Sequence, residues 1–164
     1  MIKNILFICT GNTCRSPMAQ GIFQQLLKKK TLDYQQYVVQ SAGISAFSGK
    51  PPTREAIQVM LEYGIDLSPH RTQPVNEDLM RKADIIFTMT RDHQTYLQKE
   101  FPWAKNKIYL IKEYNLKRTK NERSNNNLEI ADPIGQSIDF YRKVAEELKI
   151  NLEGIARIII KKNK

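Results

Sequence analysis

Short apolar runs alternate with longer amphipathic stretches along this chain. Four runs read as strands: Lys3 to Ile8, Tyr37 to Ser41, Ile85 to Met89, and Ile108 to Ile111. Each is brief and rich in Ile, Val, Phe or Tyr, the pattern of strands covered on both faces. The stretches between them carry apolar residues at helical spacing. Pro17 to Leu27 sets Met18, Ile22, Phe23, Leu26 and Leu27 on one face, and Arg54 to Tyr63 does so with Ile57, Met60 and Leu61. Asn76 to Lys82 predicts a short helix capped by Asn76, and Arg91 to Glu100 predicts another. A final helix is predicted from Asp139 to Ile160, with Phe140, Val144, Leu148, Leu152, Ile155 and Ile159 facing inward.

Strands that alternate with helices imply right-handed crossovers and an α/β fold, a parallel sheet with helices on both faces. In such sheets ligands bind beyond the carboxyl ends of the strands, where the strand order reverses. No internal repeat is visible, and 164 residues suit one domain over 1–164. Leu116 to Glu129 is the one polar stretch, read as a surface loop close enough to Asp132 to brush substrates.

The net charge of +9 at pH 7 raises nucleic acid as a partner. The basic residues are dispersed, with clusters at Lys28 to Lys30, Lys117 to Arg123 and Arg157 to Lys164, and no stripe of Arg with interleaved aromatics. The expectation is therefore a solvated basic surface with some attraction for phosphorylated, acidic substrates, and no nucleic-acid partner. No apolar run approaches the ~20 residues needed to span a bilayer, and no leader pattern is seen, so no membrane partner is expected. Two cysteines five positions apart form no disulfide framework. A reactive cysteine suits a reducing cytoplasm.

The candidate chemistry lies in Cys9-Thr10-Gly11-Asn12-Thr13-Cys14-Arg15-Ser16-Pro17, directly after the first strand. A Cys and an Arg separated by five residues, between a strand and a helix, describe a phosphate site with a nucleophile in its floor. Backbone amides of a curled loop and of a helix start point at an anion. The Arg fork grips phosphate oxygens with paired hydrogen bonds. The same potential is expected to lower the Cys9 pKa from about 8.5 into the range of about 3.5–7.5. Ser16 and Pro17 suit the N-cap and first position of the helix. A remote carboxyl group is needed to protonate the leaving group, and Asp132, heading an Asp-Pro turn, is a candidate.

Cys9 to Ala19 resembles the signature of the low-molecular-weight protein tyrosine phosphatase family. Ser41-Ala42-Gly43, Gly64 to Leu67 with His70, Ala83 to Ile86, Lys112 to Tyr114 and Asp132-Pro133 match the same family in order. The resemblance reaches from Met1 to about Leu152. Thr13, together with Asp132 to Asp139, is more similar to the branch of protein arginine phosphatases, which remove phosphate from phosphoarginine. The resemblance implies a three-layer sandwich whose four-stranded sheet runs in the order 2-1-3-4. It implies a thiolate mechanism through phosphocysteine, with catalytic Cys9, Arg15 and Asp132 and a phosphate cradle of Thr10, Gly11, Asn12, Thr13, Cys14 and Arg15. It implies no cofactor and no metal. Its partners would be phosphorylated proteins, met by a monomer.

The resemblance further implies that Asn12 holds the loop through Ser41 and His70, and that Ser16 stabilises the thiolate. On the residues alone, His70 reads as a loop histidine, and His93 has no partner pattern and receives no role. Phe47 matches an aromatic wall of the family's cleft and reads equally as a core aromatic. Ile134 stands where the family usually has an aromatic residue, which loosens the grip on a phenyl ring. Thr13, Phe47 and Ile134 are thus the specificity candidates. Cys14 reads either as a small buried residue or as a redox partner that locks Cys9 reversibly. The alternatives to an arginine phosphatase are a tyrosine phosphatase of the same family, an arsenate reductase, and a non-catalytic redox or phosphate-binding module. No cysteine follows Cys14 to relay oxidation, and Cys9, Arg15 and Asp132 are all present, which disfavours the last two.

Overall fold

The structure, a computed structural model, describes residues 1–119 and 127–164. Four strands, β1 (Asn4–Cys9), β2 (Val38–Gly43), β3 (Ile85–Thr88) and β4 (Ile108–Leu110), form one parallel sheet in the order β2-β1-β3-β4. The helices are α1 (Arg15–Lys30), α2 (Arg54–Glu62), α3 (Glu77–Lys82), α4 (Arg91–Glu100), α5 (Ile111–Thr119) and α6 (Ile138–Lys162). Alternate residues of β1 feed two cores. Ile5, Phe7 and Cys9 face the layer of α1, α2, α5 and α6, while Leu6 and Ile8 face α3 and α4. The expected α/β sandwich and strand order are therefore correct. Among the described residues no helix is long and apolar enough to cross a membrane.

Three helix readings need correction. Along α2 the buried residues are Ala56, Val59 and Met60, while Leu61 is exposed, so the inward face lies one position earlier than the apolar residues suggest. On α6 the buried aromatic is Tyr141 rather than Phe140. The third concerns the polar stretch after β4. Ile111, expected to end the strand, instead begins α5, whose Ile111, Tyr114 and Asn115 are buried at i, i+3 and i+4. Leu116 to Thr119 is thus helical, and residues 120–126 of the expected loop lie outside the described residues.

β1 lies between β2 and β3, and the chain leaves it in one direction towards β2 and in the other towards β3. The loop after β1 therefore sits where the order reverses, and the starts of α1 and α4 flank it. Close packing of this loop on β2 requires Gly43. A Cβ there would stand 2.5 Å from the carbonyl oxygen of Thr10 and 2.9 Å from the amide of Asn12.

Candidate active site

The loop from Cys9 to Arg15 is organised around Asn12. Its backbone takes the left-handed conformation, φ 57°, which asparagine tolerates better than most residues. Its side chain is fully buried and spends every polar atom. Nδ2 donates to Ser16 Oγ at 2.8 Å and to Ser41 Oγ at 3.0 Å, and Oδ1 accepts from the Gln73 amide at 3.0 Å. His70 Nε2 donates to the Asn12 carbonyl at 2.9 Å. Burial pushes the His70 pKa below its ordinary value despite that bond. Asn12, Ser16, Ser41 and His70 thus come together as the resemblance implied. Gln73 and Gln20 complete the network, with Gln73 Nε2 on the Ser41 carbonyl and the Ser41 hydroxyl on Gln20 Oε1.

Ser16 is not the helix cap. Helix α1 begins at Arg15 with Cys14 at its N-cap, and no side chain caps it. A helix start of this kind directs its first amides towards the loop, where they favour negative charge. Freed from capping, the Ser16 hydroxyl lies 2.9 Å from Cys9 Sγ. Because its oxygen already accepts from Asn12, its hydrogen is available to the sulfur. The Asn12 amide also donates to Cys9 Sγ at 3.3 Å. Burial, the largest influence, pushes the Cys9 thiol above its ordinary value. The Ser16 hydroxyl, the Arg15 guanidinium and the amides of Ser16 and Asn12 pull the other way. The lowering expected from the sequence omits this desolvation, which appears only once the fold puts Cys9 at the floor of the loop.

Arg15 is buried, and its fork is held at both arms. Nη1 donates to the Ile130 carbonyl at 3.0 Å, and Nη2 pairs with Asp132 Oδ2 at 3.4 Å. The segment carrying Asp132 is tied to the end of β3 by the Ile130 amide on the Met89 carbonyl at 2.9 Å. Glu129 accepts from the Arg91 amide at 3.2 Å. Asp132 Oδ1 accepts from the Ile134 amide at 3.1 Å, an Asx turn that aims the carboxylate. The Asp132 side chain is 44% exposed.

The specificity candidates lie on the loop itself and on segments bonded to it or to Asp132. Thr13 Oγ1 lies 3.6 Å from the Cβ position of Gly11, and its carbonyl accepts from the Thr53 amide at 3.0 Å. Phe47 is 78% exposed, which removes its reading as a core aromatic. It stands in the segment whose Ser45 amide binds the Thr10 carbonyl. Ile134 is 57% exposed, two residues beyond Asp132. Cys14 is a buried free thiol, 3.4 Å from the Tyr141 hydroxyl and 3.6 Å from Thr53 Oγ1, and Cys9 is also free.

Sequence reasoning missed Gln20 and Gln73 of the loop network, and it missed His93. His93, in the first turn of α4, is only 4% exposed, and its Nε2 lies 2.8 Å from Thr10 Oγ1. Its position inside the first turn of a helix after a strand end was the available signal, but no motif marks it.

These features agree with comparisons to known proteins. The chain is 33% identical over 154 residues to the protein-arginine-phosphatase of Bacillus subtilis (strain 168), covering 94% of this chain and 95% of that protein. It is 38% identical over 109 residues to the low molecular weight protein-tyrosine-phosphatase Ptp of Acinetobacter johnsonii, covering 66% and 72%. A solved structure of the YwlE arginine phosphatase, a mutant with a phosphorylated active-site serine, superposes with a TM-score of 0.85 at 33% identity and covers 96% of each chain. The model of the family described as low molecular weight phosphotyrosine protein phosphatase matches residues 4–164. With the sheet order and Cys9–Arg15 loop already in place, the chain belongs to the low-molecular-weight phosphotyrosine protein phosphatase family and is a cysteine-based phosphatase.

Proposed function

We propose that the protein removes phosphate from phosphoarginine in proteins through a phosphocysteine intermediate. The carrying observation is Thr13, a small hydroxyl residue beside Gly11 in the loop. Its branch resemblance is supported by the protein-arginine-phosphatases matched over nearly the whole chain. Cys9 Sγ attacks phosphorus and forms the S–P bond as the P–N bond to the guanidinium breaks. Asp132 gives its proton to the departing nitrogen. Arg15 and the amides of Thr10 to Arg15 hold the oxygens that carry the negative charge. Asp132, now a carboxylate, takes a proton from water, which attacks phosphorus and breaks the S–P bond. Inorganic phosphate leaves and the thiolate is restored. No step calls for a metal or cofactor.

The exposed Phe47 favours a second reading, a phosphotyrosine phosphatase, because an aromatic ring at the rim stacks on a phenyl leaving group. The aliphatic Ile134 provides no second aromatic wall. The deciding experiment compares kcat/KM on phosphoarginyl and phosphotyrosyl proteins side by side. Preference for the first supports the arginine reading, and preference for the second replaces it.

The same site includes a redox lock between Cys9 and Cys14. Peroxide oxidises Cys9 to a sulfenic acid, and the Cys14 thiol displaces water from it to form the disulfide. Peptide mass analysis after mild oxidation tests it. A thiol-reversible Cys9–Cys14 bridge is expected, and its absence would contradict the lock.

A further inference from the structure

A buried histidine without a role is costly, and His93 is placed where that cost has a use. It sits in the first turn of α4, its amide bonded to the N-cap hydroxyl of Thr90 at 3.3 Å. Nε2 meets Thr10 Oγ1 at 2.8 Å, whereas Nδ1 is buried with no hydrogen-bond partner among the described residues. A leucine would fill the same space without stranding a polar atom. Thr10 itself is exposed and directly follows Cys9, so its hydroxyl borders the mouth of the loop.

The tautomer follows from the surroundings. Placing the ring hydrogen on Nδ1 would leave a buried donor unpaired, which proteins avoid more strictly than an unpaired acceptor. The hydrogen therefore belongs on Nε2, which donates to Thr10. A second proton is resisted as well. Burial, then the Arg15 charge, lowers the His93 pKa to about 4, against opposing pulls from Asp132 and Asp92. These influences also place the imidazole in the field of both charged groups of the site. With Nε2–H as donor, the Thr10 oxygen is the acceptor, and its own hydrogen is not used in that bond.

We propose that His93 is a positioning residue: its imidazole donates to Thr10 Oγ1 and thereby leaves the Thr10 hydroxyl hydrogen free for the phosphoryl group bound in the loop. This rests on the Cys9–Arg15 loop being the phosphate cradle, and it is independent of whether the leaving group is arginine or tyrosine. The pairing joins the two elements on either side of the point where the strand order reverses, the loop after β1 and the helix after β3.

The test is a double-mutant cycle on Thr10→Val and His93→Leu, with His93→Gln as the conservative variant. Vanadate affinity, kcat and KM on an aryl phosphate, and thermal stability are measured for each. Thr10→Val and His93→Leu should each weaken vanadate binding by about tenfold. The double variant should be no weaker than the weaker single one, since both remove the same bond. His93→Gln, whose amide nitrogen reaches the Nε2 position, should recover most of the loss. Vanadate affinity unchanged in Thr10→Val, losses that multiply in the double variant, or a His93→Leu protein that loses only thermal stability would each overturn the proposal. Thr10→Val leaves the imidazole in place and decides the matter if His93→Leu does not fold. Failure of the wild type to bind vanadate would instead overturn the cradle itself.

Discussion

The two halves of the site are held in different ways. The half that carries Cys9 is built around Asn12, which is buried and bonded to Ser16, Ser41, Gln73 and His70, so α1, β2 and the connection from α2 to α3 all fix one side chain and its carbonyl. The half that carries Asp132 is held by a few hydrogen bonds to its backbone, and among the described residues the carboxylate pairs with Arg15 and accepts from the amide of its own turn. A phosphate cradle has to match a fixed tetrahedral anion, and many bonds buy that precision. The acid must meet leaving groups of different size and shape, and its half-exposed position suits that task. The loop half should therefore fail as a unit, while the acid half should fail in proportion to what the leaving group needs.

The largest expected effect is on the loop half. Cys9→Ser should abolish turnover and leave oxyanion binding largely intact, because in the proposed mechanism Cys9 attacks while Arg15 and the amides bind. Arg15→Ala should lose both, since the guanidinium also ties Ile130 and Asp132 to the loop. Turnover assays paired with vanadate binding check this, and substantial turnover by the serine variant would remove Cys9 as nucleophile.

Asp132→Ala breaks the other half alone. It should slow a poor leaving group such as phenyl phosphate by about 10²–10⁴-fold, with a far smaller loss on an activated aryl phosphate. Equal losses on both substrates would mean that Asp132 is structural or that another acid serves.

Asn12→Ala sharpens the contrast by removing the centre of the loop network. It strands the Gln73 amide and forces alanine into the left-handed region, for a destabilisation of about 2–4 kcal/mol. Denaturant unfolding reads it. A loss below about 0.5 kcal/mol would mean that the loop holds its shape without Asn12.

The two histidines bonded to the loop predict a pH dependence of stability. His93 is held at about 4, below its ordinary value near 6.5. Between those values the unfolded chain binds a proton that the folded protein resists, so stability falls as pH drops from about 6.5 to 4 and is unaffected by this group above that range. The contribution is roughly 3 kcal/mol. His70 is also lowered and acts in the same direction. Unfolding curves from pH 7 to 4 should be flatter for His93→Gln than for the wild type, and parallel curves would contradict the shift.

The sequence made the loop half far more legible than its surroundings. The strand, the Cys-Arg spacing and the Asn12, Ser41 and His70 set are local motifs or family positions, and Asn76 caps α3 as its type suggests, accepting from Leu79. What escaped was everything that depends on distant neighbours. Ser16 reads as a cap by residue type, yet the helix starts two residues earlier than that reading, at Arg15, and the Ser16 hydroxyl turns to the sulfur. The burial that raises the Cys9 thiol exists only in the folded molecule. Helix α5 was hidden because its polar composition outweighs the apolar signal of its buried Ile111 and Tyr114. His93 is separated from Thr10 by 83 residues, and no local pattern links them.

The smallest effect bears most directly on the central claim, that this site acts on phosphoarginine and that Thr13 sets the choice. The measurement is kcat/KM for phosphoarginyl and phosphotyrosyl proteins, in the wild type and in Thr13→Ile. The account predicts a wild type that prefers phosphoarginine. In the variant the ratio should shift towards phosphotyrosine by ~10-fold, about 1.4 kcal/mol of barrier, as an ethyl group replaces the hydroxyl beside Gly11. A wild type that prefers phosphotyrosine, or a ratio that does not move, would contradict it.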